Sequence, residues 1–277
     1  MSAPVDQADG LRRLLTVGRP RIVAVAGLCA GVGATTAVMN LAAAFAQGGK
    51  PVLVLDEHAP GPASLCAAWA VTPGGTLADV AVRGMPLAAA AAQPMPGVHV
   101  LPAPRDLPAG SFSARSLCPG GVILIDVALD AQGQLSPLAR LADDVAVVMQ
   151  PSVASLTATY AGLKRLQFAH ALQTFRFIVN RTSSLREAQL VIGNVVQTSS
   201  RFLTLSLRAL GSVGSDERVR EAARLHQPVC VACPGSRAAA EFRQVAAALL
   251  QPAGEDSASV AAAQALRPPP AAVRAAA

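Results

Sequence analysis

The feature that most constrains this chain is an alternation of two kinds of segment. Seven short apolar runs, rich in β-branched residues, occupy 22–26, 52–55, 98–101, 122–125, 145–149, 177–179 and 207–213. Segments of helical periodicity, such as 37–46, 155–171 and 184–203, lie between most of them. Apart from His99, Arg208 and Ser212 the runs are apolar and do not alternate with polar residues, which marks strands covered on both faces. Such strands separated by helices predict an α/β fold, a doubly wound and mostly parallel sheet over residues 21–252. Ligands of such sheets gather at the carboxyl ends of the strands, so the loops after the runs are where chemistry is expected.

The flanks read differently. Residues 1–20 hold one short helical pattern and a linker, and no internal repeat is visible. Residues 253–277 are Ala/Pro-rich and carry Arg267-Pro268-Pro269-Pro270, a composition that predicts disorder. Between Arg21 and Lys50 there is no charge, which invites a membrane-span reading. Gly27, Gly31, Gly33, Thr35, Thr36, Asn40 and Gln47 interrupt that stretch, and a strand, a Gly-rich loop and a helix explain it better. Aromatics make up only 3% of the chain, so the core must be built from Ala, Val, Leu and Ile. The net charge of +6 draws acidic partners only weakly. Five scattered cysteines define no disulfide framework and suit a reducing compartment. The first ten residues lack the basic-then-apolar order of a signal peptide, so a cytoplasmic location is expected.

The first run leads into Gly27-Leu28-Cys29-Ala30-Gly31-Val32-Gly33-Ala34-Thr35-Thr36. A strand, a Gly-rich loop and a helix N-terminus cradle phosphate through backbone N–H groups and the helix dipole. Gly31 and Gly33 permit close backbone approach, and Thr35 stands where a hydroxyl would hold Mg²⁺. The full pattern needs a lysine before that threonine, and the residue there is Ala34. A tight turn that holds no ligand is the alternative reading of this loop.

The loop resembles the deviant Walker motif K-G-G-V-G-K-T-T of the MinD/ParA family. Gly31, Val32, Gly33, Thr35 and Thr36 match; Cys29, Ala30 and Ala34 replace the signature lysine, a glycine and the P-loop lysine. The resemblance extends along the chain. Asp56 ends its run where the family has the first Asp of a D-x-D switch, and His58 replaces the second Asp. Asp126 matches the Walker B aspartate. Residues 151–160 are similar to the family's P-x-x-x-S-L-x-x-x-Y segment. Asn180-Arg181 match a pair whose Asn reads adenine, and 216–220 and 228–236 resemble the closing stretch. The resemblance therefore covers about residues 21–250. It implies the P-loop fold of that family and a nucleotide site of Gly31, Val32, Gly33, Ala34, Thr35, Thr36 and Asn180. Thr35, Asp56 and Asp126 would hold Mg²⁺ if ATP binds.

Losing Cys29, Ala34 and His58 as charge-bearing positions removes positioned positive charge and an oriented water, on which phosphoryl transfer depends. Only two lysines remain in the chain, Lys50 before a strand and Lys164 in mid-helix, and neither suits the site. An arginine of the N-terminal segment, Arg12, Arg13 or Arg19, could reach in. Backbone amides would still allow weak ATP binding, but hydrolysis is not expected.

Residues 6–12 read Asp6-Gln7-Ala8-Asp9-Gly10-Leu11-Arg12. Asp6 is a fair N-cap, and Ala8, Leu11 and Leu15 fall on one apolar face. Gly10 weakens the helix by about 1 kcal/mol, and a helix this short folds on a partner or frays against its own domain. The heptapeptide resembles the D-Q-A-x-x-L-R motif of the FlhG (FleN, YlxH) family of flagellar-number regulators. That likeness implies docking on FlhF, a GTPase of the signal-recognition-particle type. Gln7 would enter the GTPase site, and Asp6, Ala8, Leu11 and Arg12 would complete the contact. It also implies contact with flagellar basal-body components, recruitment to the cell pole and a nucleotide-dependent homodimer.

Other signals carry less. Cys230 and Cys233 form a lone C-x-x-C in an apolar stretch and read as filler. His99, His170 and His226 have no ligand spacing. Arg218, Arg220 and Arg224 form a stripe that reads as a solvated face. Residues 242–250 are apolar enough for the core, and no membrane-targeting helix is expected after them. The competing functions are an active MinD-like ATPase switch and a ParA-type DNA-partitioning protein; the 6–12 motif argues against the latter.

Overall fold

The computed structural model describes residues 19–107, 112–202 and 205–251. Its first element is strand β1 (Arg21–Gly27), and helix α1 (Ala34–Gln47) follows at once, so the charge-free stretch is a strand, a loop and a helix. Next come β2 (Val52–Asp56), the short helices α2 (Leu65–Ala68), α3 (Leu77–Arg83) and α4 (Leu87–Ala90), then β3 (Ala92–Met95) and β4 (Val98–Pro102). The second half runs β5 (Val122–Val127), β6 (Asp144–Met149), α5 (Val153–His170), β7 (Thr174–Thr182), α6 (Leu185–Phe202) and β8 (Ser206–Gly214). Helices α7 (Glu217–Arg224), α8 (Val229–Ala232) and α9 (Arg237–Leu250) close the described chain. Among the described residues no helix is long and apolar enough to cross a membrane.

The strands form one 8-stranded sheet in the order β3-β4-β2-β5-β1-β6-β7-β8. All pairs are parallel except β3 with β4. Each apolar run of the sequence is a strand. The addition is β3, whose sequence Ala-Gln-Pro-Met carries no strand signature. It sits at the sheet edge, where a proline costs no ladder bond.

Side-chain parity explains the continuous apolar runs. Val23, Val25, Val52, Val54, Val122 and Leu124 pack on one face, with α1 and α9. Ile22, Ala24, Ala26, Leu53, Leu55, Ile123 and Ile125 pack on the other, with Leu163 and Leu166 of α5 and Val191 and Val195 of α6. Both parities are buried, and each Val or Ile so covered contributes about 1.5–3 kcal/mol. Helix α1 is covered almost all round, from Ala37 to Phe45, because α9 lies over it. The stretch 242–250 is therefore core: Phe242, Val245, Ala246 and Leu249 are buried.

Residues 6–12, Arg13, Leu15 and the 253–277 tail lie outside the described residues. Arg19 lies close enough to Asp143 to help hold its carboxyl low. Asp143 directly precedes β6, at the amino ends of the strands, so Arg19 does not reach the loop after β1.

Candidate functional site

The carboxyl ends of β1, β2, β5, β6 and β7 converge around the loop 28–33. Register does the placing: β2 and β5 pair so that Asp56 lies opposite Asp126. Both continue the parity of Val54 and Leu124, so both carboxylates face α1, whose first turn carries Thr35.

The loop keeps a constrained shape. Gly31 has φ +75 and Gly33 has φ +91, the left-handed region that other residues adopt at a cost. Gly33 caps α1 without any side-chain hydrogen bond, so the first-turn N–H groups are not claimed by a capping side chain. A Cβ on Gly33 would lie 2.5 Å from Asn180 Nδ2. That amide nitrogen donates to the Val32 carbonyl at 2.8 Å, and Asn180 Oδ1 accepts the Arg181 N–H at 3.0 Å. Gln150 Nε2 donates to the Gly31 carbonyl at 2.9 Å. Two carboxamides from two strand ends thus hold the loop carbonyls. Gln150 was not singled out by sequence, although a polar residue directly after an apolar run and before Pro151 is a usable signal.

Cys29 Sγ lies 3.7 Å from the Ser155 hydroxyl, whose oxygen accepts the Gln150 N–H at 2.9 Å. Ala34 opens α1 and offers no charge. Lys50 lies before β2, at the opposite end of the sheet, and Lys164 sits on α5 with its ammonium 5.9 Å from the Phe168 ring. No lysine reaches the loop.

The acidic pair is where the site is unusual. Asp56 is buried; Oδ2 accepts the Leu65 N–H at 2.7 Å and Oδ1 the His58 N–H at 3.1 Å. Asp126 is fully buried, and neither of its carboxylate oxygens has a hydrogen-bond partner. His58 Nδ1 sits between them, 3.3 Å from Asp56 Oδ1 and 3.4 Å from Asp126 Oδ2, at ion-pair distance but not aligned as a hydrogen bond. Asp126 and Asp56 push the imidazole up to about 10 against burial, which opposes them. Burial raises the carboxyl of Asp126, with His58 and Thr35 acting against it. Glu57 turns the other way: it takes the Ser136 hydroxyl and the Ala128 N–H, and burial pushes its carboxyl up. Its backbone N–H donates to the Asp126 carbonyl at 3.1 Å, which fixes the 56–58 turn against β5.

The structure therefore brings Gly31, Val32, Gly33, Ala34, Thr35, Asp56, His58, Asp126 and Asn180 to one end of the sheet. Thr35 and Thr36 both line a cavity of about 350 Å³ with Met39, Asn40, Val219 and His226 on the flank of α1. As for a magnesium nucleotide, the glycine-shaped loop fits a phosphate through backbone amides alone. The charge does not fit, because lysine is absent and an imidazole stands between the two aspartates. No hydrolytic step follows from this geometry.

Cys230 is buried, with its thiol pushed up to about 11 by burial, and its Sγ lies 3.8 Å from the Ala239 carbonyl. His170 Nε2 accepts the Leu135 N–H at 3.1 Å. Arg218 and Arg220 pair with Glu221 and Glu217 on the exposed face of α7.

Comparison with known proteins follows the same lines. The family described as the CobQ/CobB/MinD/ParA nucleotide binding domain matches residues 23–229. The antiactivator FleN of Pseudomonas aeruginosa is 31% identical over 244 residues, which span 82% of this chain and 85% of FleN. The cell-division protein MinD of Aquifex aeolicus superposes with a TM-score of 0.64 at 18% identity, over 83% of this chain and 96% of MinD. MinD of Pyrococcus horikoshii, solved with Mg-ADP, gives 0.59 at 23%, over 85% and 98% of the two chains. At those identities the two structures speak for the fold alone.

Proposed function

The chain belongs to the CobQ/CobB/MinD/ParA nucleotide-binding family, in the branch of the antiactivator FleN (FlhG), and from that premise we propose that it is a regulator of flagellar number and placement whose N-terminal segment activates an SRP-type GTPase, FlhF. The observation that carries this reading is the Asp6-Gln7-Ala8…Leu11-Arg12 motif placed ahead of a FleN-related core. A polar Gln7 beside the apolar positions Ala8, Leu11 and Leu15 suits a segment that docks on a partner and brings one polar group to its chemistry. Recruitment to the cell pole and contact with basal-body components would follow from the same partner.

In this reading the nucleotide site is an inherited frame. Its amide cradle allows weak ATP binding, and the missing charge at Ala34 and Cys29 argues against turnover. Restoring Ala34→Lys adds charge-assisted hydrogen bonds worth about 1.5–3 kcal/mol each, so ATP affinity should rise about 10- to 100-fold in a fluorescent-nucleotide titration. Unchanged affinity would mean that the loop is a ligand-free turn.

The deciding experiment is GTP hydrolysis by purified FlhF with the full chain, with the chain lacking residues 1–20, and with a peptide of residues 1–20. The full chain and the peptide should accelerate it and the truncated chain should not. Gln7→Ala should reduce stimulation while retaining much of the binding. Leu11→Asp should abolish both, because it places a charge in an apolar contact. Stimulation that survives the truncation would remove the proposed role from this segment.

A further inference from the structure

One cluster at the carboxyl ends of the strands is left unused by the GTPase reading. Asp56, His58 and Asp126 each offer a donor atom, and these atoms all lie within 4.8 Å of one another. His58 Nδ1 and both Asp126 oxygens lack hydrogen-bond partners, Asp126 is fully buried, and the ion pair of the imidazole at 3.4 Å answers its charge. A buried carboxylate is normally paired, hydrogen-bonded or coordinated to a metal. These three donors have the inventory for coordination: two carboxylates and one imidazole, with the remaining Asp56 oxygen tied down by the Leu65 N–H.

We propose that Asp56, His58 and Asp126 form a site for a borderline divalent transition-metal ion of the zinc(II)/cobalt(II) class, bound without nucleotide. The spacing supports that class. A tetrahedral ion with bonds of about 2.0–2.1 Å needs donor atoms about 3.4 Å apart. Octahedral magnesium with bonds of similar length needs donors about 3.0 Å apart and prefers oxygen throughout. The two edges from His58 Nδ1 are 3.3 and 3.4 Å, the edge between the carboxylates lies within 4.8 Å, and the shared donor is nitrogen. Three protein donors leave one position open. The His58 side chain is 25% exposed, which gives solvent a way in. This ion differs in class from the magnesium that accompanies ADP in MinD of Pyrococcus horikoshii, and its binding does not depend on the GTPase reading.

The test uses the full chain, stripped with chelator and free of nucleotide, dialysed against zinc(II) or titrated with cobalt(II). The expected result is one ion per chain and an intense visible cobalt band of the tetrahedral kind, with magnesium a poor competitor. His58→Ala should weaken binding by more than about 100-fold, since even outer-shell partners are worth about 10–100-fold. Asp126→Asn, close in shape to the native residue, should do the same and serves as the second variant if His58→Ala does not fold. Cys230→Ser with Cys233→Ser should leave uptake intact. The proposal is overturned if the native chain takes up no ion at near-stoichiometric metal, in which case the imidazolium itself is the cation between the aspartates. It is equally overturned if the folded His58 and Asp126 variants bind like the native chain, or if only the cysteine changes abolish binding.

Discussion

The two ends of the sheet handle buried charge in opposite ways. At the amino ends, Arg21 donates twice to Asp144 Oδ2, at 2.9 and 2.6 Å, and Arg176 Nε lies 2.8 Å from Asp144 Oδ1. Arg176 also donates to the Ala248 and Gln251 carbonyls at 2.9 Å each, and Arg115 grips both oxygens of Asp143. At the carboxyl ends, two buried aspartates share one imidazole at ion-pair distance and neither oxygen of Asp126 accepts a hydrogen bond. The first set closes on itself and ties the start of β1 to the end of α9. The second is left open at the end of the sheet where this fold class holds its ligands. Charge that only holds structure is satisfied internally; charge left unsatisfied points to a ligand.

Removing the carboxylate at the amino end is the sharpest way to break the contrast. Asp144→Ala deprives the nearly fully buried Arg176 of its carboxylate and should cost about 3–5 kcal/mol in urea unfolding. A loss below 1 kcal/mol would mean that the amino end is no better closed than the other.

The next effect is in pH. The His58 imidazole rises from 6.5 to about 10 in the folded chain, so its stabilisation is complete below about 6.5 and is lost as pH climbs through 10. In chelator, unfolding free energy should therefore fall by on the order of a few kcal/mol across that window. His58→Gln should flatten the slope. A slope that survives His58→Gln would place the titrating group elsewhere.

Smaller effects test the loop. Gly33→Ala meets both φ +91 and Asn180 Nδ2, and should cost about 1–3 kcal/mol. Gly31→Ala has open space around it at φ +75, so only the backbone term of about 1–2 kcal/mol remains. Equal costs at the two glycines would mean that Asn180 does not brace the loop. The smallest change should be Asp126→Asn, within about 1 kcal/mol of the native chain. It removes the cost of burying a carboxylate together with its attraction to His58, two terms of opposite sign.

Much of the site was legible in the sequence, and the gaps have physical causes. Asp56 and Asp126 stood out because an acidic residue ends an otherwise apolar strand, and Gly31 and Gly33 because a loop between a strand and a helix needs them. His58 was read only as a lost aspartate. Its place between the two carboxylates depends on the turn at 56–58, where Asp56 Oδ1 accepts the His58 N–H and Glu57 anchors to β5. Gln150 went unnoticed because its contact, the Gly31 carbonyl, is 119 residues away.

What the sequence determined by itself was the set of strands and the helices between most of them. A strand buried on both faces carries few polar residues, and that constraint is written into each run independently of its neighbours. What only the tertiary structure decided was which strand lies beside which, and in what register. Nothing local in 52–56 or 122–127 says that these strands pair with Asp56 opposite Asp126, because the pairing rests on hydrogen bonds between segments about 70 residues apart. The edge strand β3 belongs to the same class, since Ala-Gln-Pro-Met is extended only because β4 turns back beside it. The site is made by that pairing: residues each recognisable alone become two carboxylates around one imidazole only when the sheet brings them to the same end and the same face.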